Sequence, residues 1–68
     1  MKVFKVLFNN NEAVAAFFYS TTYKGGSEVA RHQGKPVIRS LDVIAGDEAE
    51  SIIIANEIVN QYFRIIMN

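Results

Sequence analysis

The chain has no cysteine, no tryptophan and one proline, Pro36. Without thiols it can form no disulfide, no thiolate metal site and no cysteine nucleophile, and its redox compartment is marked only by a lean toward the cytoplasm. An excess of either charge is also missing. Seven Lys and Arg balance seven Asp and Glu, so overall charge supports neither a broad nucleic-acid footprint nor an acidic nucleic-acid mimic. The longest apolar run, Ala13 to Tyr19, falls far short of the ~20 residues of a membrane span. The first residues pass directly from Met1–Phe8 into Asn9-Asn10-Asn11, with no secretory apolar region. These features lead to the expectation of a cytoplasmic protein that is not in a membrane.

What is present is enough to fold. Half of the 68 residues are apolar and 21% are charged, an ordinary globular balance rather than a disordered one. A chain of this length buries only roughly 60% of its unfolded surface and forms one small domain.

Residues 2–8 alternate, with Phe4, Val6 and Phe8 on one face and Val3, Lys5 and Leu7 on the other, as a strand with one well-buried face requires. The three asparagines tolerate left-handed backbone and predict a hairpin. A longer second strand over 13–23 follows, with Phe17 and Tyr19 pointing oppositely to Phe18. Residues 24–36 admit two readings. Ser27 as N-cap and Gly34 as C-cap glycine frame a two-turn helix, whereas a β-excursion ending at Gln33-Gly34 fits as well. From Val37 a third strand runs to Ala45-Gly46, with Val37, Leu41 and Val43 alternating against Ile38 and Ile44.

Asp47 followed by Glu50 approximates a capping box, and three acids over 47–50 favour the positive end of a helix starting there. Ile52, Ala55, Ile58 and Val59 form its apolar side, opposite Glu50, Glu57, Asn60 and Gln61. Residues 62–67 fit a continued helix or a strand, and their aromatic and β-branched content favours a short final strand. The expected fold class is α+β in two layers: an antiparallel sheet of three to four strands, in β-β-β-α-β order, covered on one face by one helix.

The element order, with Gly46-Asp47-Glu48-Ala49 before its helix, resembles the HicB-type antitoxin domain, whose Pro-Asp-Leu-Pro-Gly-Cys segment has no counterpart here. It also resembles the double-stranded-RNA-binding fold, which has lysines where this helix begins with Asp47, Glu48 and Glu50, and which opens with a helix rather than a strand. The sequence assigns no family.

Chemical motifs are excluded one by one. Gly34-Lys35 is followed by Pro36 and preceded at the required spacing by Val29, so no Walker-type phosphate loop exists. The glycines lack dinucleotide-binding spacing. His32, the one imidazole, has neither the ligand set of a zinc site nor an assignable nucleophile and orienting carboxylate, and reads as a solvated loop residue. The expectation is a protein that is not an enzyme, with no cofactor and no metal.

Two binding readings remain. Tyr23, Lys24, Arg31, Lys35 and Arg39 form a basic stretch with aromatics nearby, the combination used on single-stranded nucleic acid. Against it stand the acids Asp42, Asp47, Glu48, Glu50 and Glu57, which make the chain bipolar. The favoured reading starts from apolar surplus. Ile53 lies between Glu57 and Asn60 on the polar side of the helix, Ile54 sits at its edge, and the second strand is bulky on both faces although one helix covers only one. Contiguous exposed apolar surface marks an interface. Phe18, Ile53, Ile54 and Glu57 are the candidate contacts of a non-catalytic interaction module. It docks on a larger protein as a small inhibitor, in the style of phage and mobile-element proteins, or associates with itself.

Overall fold

A computed structural model describes residues 1–66. Four strands, β1 (Val3–Asn9), β2 (Glu12–Ser20), β3 (Ser27–His32) and β4 (Lys35–Ile44), precede one helix, α1 (Glu48–Ile66). The strands form an antiparallel sheet in the order β2-β1-β4-β3, so the two hairpins lie side by side and the first strand becomes central. The two-layer α+β architecture with one helix on the sheet is the one expected from the sequence.

Both hairpins close through two left-handed residues. Asn10 and Asn11 have φ of 54° and 62°, and Gln33 and Gly34 have φ of 53° and 78°. This turn geometry matches the natural twist of the strands it joins. Phe4, Val6 and Phe8 of β1 are buried under the helix with Ile38 and Val43 of β4 and Ala55 and Val59 of α1. At about 25 cal/mol per Å² of apolar area, this single layer of contacts is the main source of stability in a chain without cross-links.

Of the two readings of residues 24–36, the β-excursion ending at Gln33-Gly34 is the one observed: Ser27–His32 is a strand, because the Gln33-Gly34 turn folds it back onto β4, where Val29 meets Ile38 and Ala30 meets Val37. Two local expectations need correction. β2 stops at Ser20 rather than Tyr23, since Ser20 is opposite Val3, where β1 begins, and its Oγ accepts the Thr22 amide at 3.0 Å. No strand follows the helix within the described residues. Tyr62–Ile66 continues α1, because no turn residue separates it from Gln61 and Phe63 falls one turn beyond Val59, packed against the core. Met67, the end of the expected strand, lies outside the described residues. The order is therefore β-β-β-β-α.

Within β4 strict alternation also fails at one point. Glu28 pairs with Ser40 and Val29 with Ile38, leaving Arg39 as an unpaired bulge. The bulge brings Ile38 onto the same buried side as Leu41 and Val43, where alternation had placed it opposite.

The helix begins as its residues dictate. Asp47 Oδ1 accepts the Glu50 amide at 2.8 Å, and Glu50 Oε1 accepts the Gly46 amide at 3.1 Å. Two otherwise unpaired amides are satisfied reciprocally. Two asparagines then fix the hairpins to their surroundings: Asn56 Oδ1 accepts the Ala13 amide of β2 at 3.0 Å, and Asn11 Oδ1 accepts the Ile38 amide of β4 at 2.8 Å.

Candidate functional site

One helix is about 10 Å wide, whereas four strands at ~4.8 Å spacing make a wider floor, so α1 covers about half of it. The Asn56 bond places one flank of the helix over β2. Its other flank stops short of β3. Between them runs an open groove of about 160 Å³, with Ser27 and Val29 of β3 on one side, Ile38 and Leu41 of β4 as floor, and Ile58, Val59 and Tyr62 of α1 on the other side.

The groove is apolar because the helix is apolar over more of its circumference than its own sheet uses. Ser51, Ala55 and Val59 are buried and Phe63 is half-buried. The apolar arc then continues through Tyr62, Ile58, Ile65 and Ile54, spanning about 180° where a stripe of ~100° suffices for one sheet. Ile58 remains 46% exposed and Val29 45%, facing one another across the gap. Glu50 and Glu57, two turns apart, are exposed on the solvent side of the helix, and Glu50 is engaged with the Gly46 amide.

The sheet face opposite the helix is a second exposed surface. Phe17 and Tyr19 of β2, Leu7 of β1 and Ile44 of β4 are all partly open to solvent. This face is interrupted at its centre by Lys5, whose Nζ lies 3.1 Å from Asp42 Oδ1 and 4.5 Å from the centre of the Tyr19 ring.

The four apolar candidates from the sequence do not form one patch. Phe18 lies on the helix side of the sheet at the β2 edge, half-exposed, with its ring edge-on to Phe4 at 6.1 Å. Ile53 is 60% exposed on the outer surface of α1, beside the exposed Glu57. Ile54 is half-buried against the core on the groove flank, across the helix from Phe18. None of the four lines the groove itself; Ile54 lies one turn before Ile58 on the same flank of α1.

The basic candidates are spread along β3 rather than gathered. Lys24 lies before its start, by a recess with Tyr19, Ser20 and Asp42, and Tyr23 is its exposed neighbour. Arg31 and Lys35 lie at its end, and Arg39 stands between, opposite the Glu28–Val29 step, bordering with Arg31 a different recess. The strand itself is six residues long, about 20 Å. Arg31 is further engaged, donating from Nη1 to the Gly34 carbonyl at 3.4 Å.

Val29, Leu41, Ile58 and Tyr62 are the groove residues that the sequence did not single out as contacts. Their signal was the width of the apolar arc, in which Ile54, Ile58 and Tyr62 recur every four residues. Among the described residues no group of three or more His, Asp or Glu side chains is placed to hold a metal ion, and no helix is long and apolar enough to cross a membrane. Comparison of the chain with protein-family models, with curated proteins and with solved structures gives no match.

Proposed function

We propose that the chain is a non-catalytic protein-interaction module that receives an amphipathic helix of a larger protein in the groove between α1 and β3, and thereby modulates that protein. The observation that carries this reading is the vacancy itself. A four-stranded sheet has room for two helices on one face, α1 takes one place, and the apolar arc of α1 continues onto the flank that a second helix would touch. The occupant's chemistry follows from the lining. Its buried face carries apolar residues at i, i+3 or i+4, and i+7, to meet Val29, Leu41, Ile58 and Tyr62.

Selection from a displayed library of helical peptides on the immobilised chain tests this. Enriched peptides should carry that apolar spacing, and should lose binding to Ile58→Asp. Peptides without helical spacing, or binding unchanged by Ile58→Asp, would contradict the reading.

A further inference from the structure

The two free edges of the sheet differ in kind. β2 is bulged twice, at Val14 and at Tyr19, each left unpaired by the register with β1. Bulges keep an edge from templating another strand. In the β3–β4 pair the extra residue is Arg39 of β4, so β3 itself runs unbroken from Ser27 to His32, with every residue except Ala30 exposed.

The backbone of β3 is directed outward at alternate residues. The two-residue turn makes His32 and Lys35 the closing hydrogen-bonded pair, and Pro36, opposite Arg31, has no amide hydrogen to give. Arg31 and Val29 therefore turn their amides and carbonyls to the free edge. The side chains complement one another end to end: the Glu28 carboxylate, an acceptor, lies near the start, and Arg31 and the imidazole of His32, which carries an N–H donor, lie at the end. Two such strands placed antiparallel bring each start against the other's end.

We propose that two copies of the chain join through β3, centred on Ala30, into one continuous sheet of twice four strands with both helices on the same face. This register sets Glu28 opposite the second copy's His32 and forms the backbone bonds between Val29 and the second copy's Arg31, the residues whose groups face outward. Centring on Glu28 or Arg31 would set like charges face to face, and centring on Val29 leaves Glu28 opposite alanine. Centring between two residues would put opposing side chains on different faces of the sheet, which the pleat forbids. The junction uses the outer backbone of β3, whose Ser27 and Val29 side chains wall the groove, and so extends the groove across the two-fold axis. A strand of six residues covers less than the roughly 800 Å² per partner of a stable interface, so the association is concentration-dependent.

Sedimentation equilibrium over about 10 µM to 1 mM should show the mass rising toward that of a dimer. Glu28→Lys should weaken the association about tenfold by removing the carboxylate acceptor from two cross-strand pairs, and Glu28→Lys with His32→Glu should restore it by placing a carboxylate opposite each new ammonium. Ala30→Cys, the sole thiol in the chain, should give a disulfide-linked dimer on mild oxidation, and Val14→Cys on the other edge should not. Ile58→Asp should dimerise like the unaltered chain, which separates this junction from the groove. A monomer throughout the range, a dimer indifferent to Glu28→Lys, or a dimer lost in Ile58→Asp would each overturn the proposal.

Discussion

Lys5 Nζ lies 3.1 Å from Asp42 Oδ1 and 4.5 Å from the centre of the Tyr19 ring, so one ammonium joins β1 to both of its neighbours on the uncovered face of the sheet. The pair sits among Leu7, Phe17 and Ile44 and divides what would otherwise be a continuous apolar surface.

Replacing that pair should therefore change solubility more than stability. A partly exposed ion pair contributes only about 0.5–1 kcal/mol. Lys5→Ile with Asp42→Val should keep the unfolding midpoint close to that of the unaltered chain while producing large aggregates in light scattering, because the exposed patch becomes contiguous. A double variant that stays dispersed would show that the pair does not perform this role.

Gly26 has a different relation to the same carboxylate. Its carbonyl accepts the Asp42 amide at 3.0 Å, and a Cβ built on it would lie 2.5 Å from Asp42 Oδ2. Gly26→Ala should push the Asp42 carboxylate from Lys5 and lower stability by about 1–2 kcal/mol, read as a lower urea midpoint. Gly25→Ala meets no neighbouring atom but has a φ of 70°, so its cost is backbone strain and should leave the Lys5–Asp42 pair intact.

Asn11 serves the β1–β2 turn in two ways, by tolerating a φ of 62° and by accepting the Ile38 amide at 2.8 Å. Asn11→Gly keeps the first and loses the second, at a cost of about 1–2 kcal/mol. Asn11→Ala loses both and should cost more by about 1 kcal/mol. Equal losses in chemical denaturation would mean that the side-chain bond is the whole effect.

Much of the fold was legible because its chemistry is local. Alternation in residues 2–8, asparagines at the first turn and the Asp47/Glu50 cap each act within a few residues of themselves. Sequence alone stops deciding where distant partners act. Ser27 to Gly34 carries both helix-capping and β-turn signals and is open between them, and pairing with Lys35–Leu41 makes it a strand. Tyr62 to Ile66 has strand-like composition, yet Phe63 meets the core only if the helix continues.

The surface was legible to the same degree. Ile53 and the open face carrying Phe17 and Tyr19 are exposed as their positions in the pattern require. The groove was not readable from sequence, because it depends on α1 leaning toward β2, which is fixed by the bond between Asn56 and Ala13. Phe18 was assigned to an interface from its bulk alone, and its contact with Phe4 gives it a packing role as well.

The spread of cations along β3 has a consequence for nucleic acid. With Tyr23 and Lys24 before the start of β3, Arg31 and Lys35 at its end and Arg39 opposite the Glu28–Val29 step, a short single strand would meet at most about three of the cations, so the fall of log affinity with log salt should have a slope no steeper than about −2. Fluorescence anisotropy with a labelled oligonucleotide at increasing salt measures this. A slope of about −3 would mean that all four cations bind together.

The groove beside α1 is tested most directly by a photo-crosslinking amino acid placed at position 58, with position 64 on the exposed back of the helix as the comparison, in a lysate of the source organism. The account predicts a discrete adduct from position 58, joined to a peptide with apolar residues at helical spacing, and none from position 64. Equal labelling from both positions, or no adduct from 58, would contradict it.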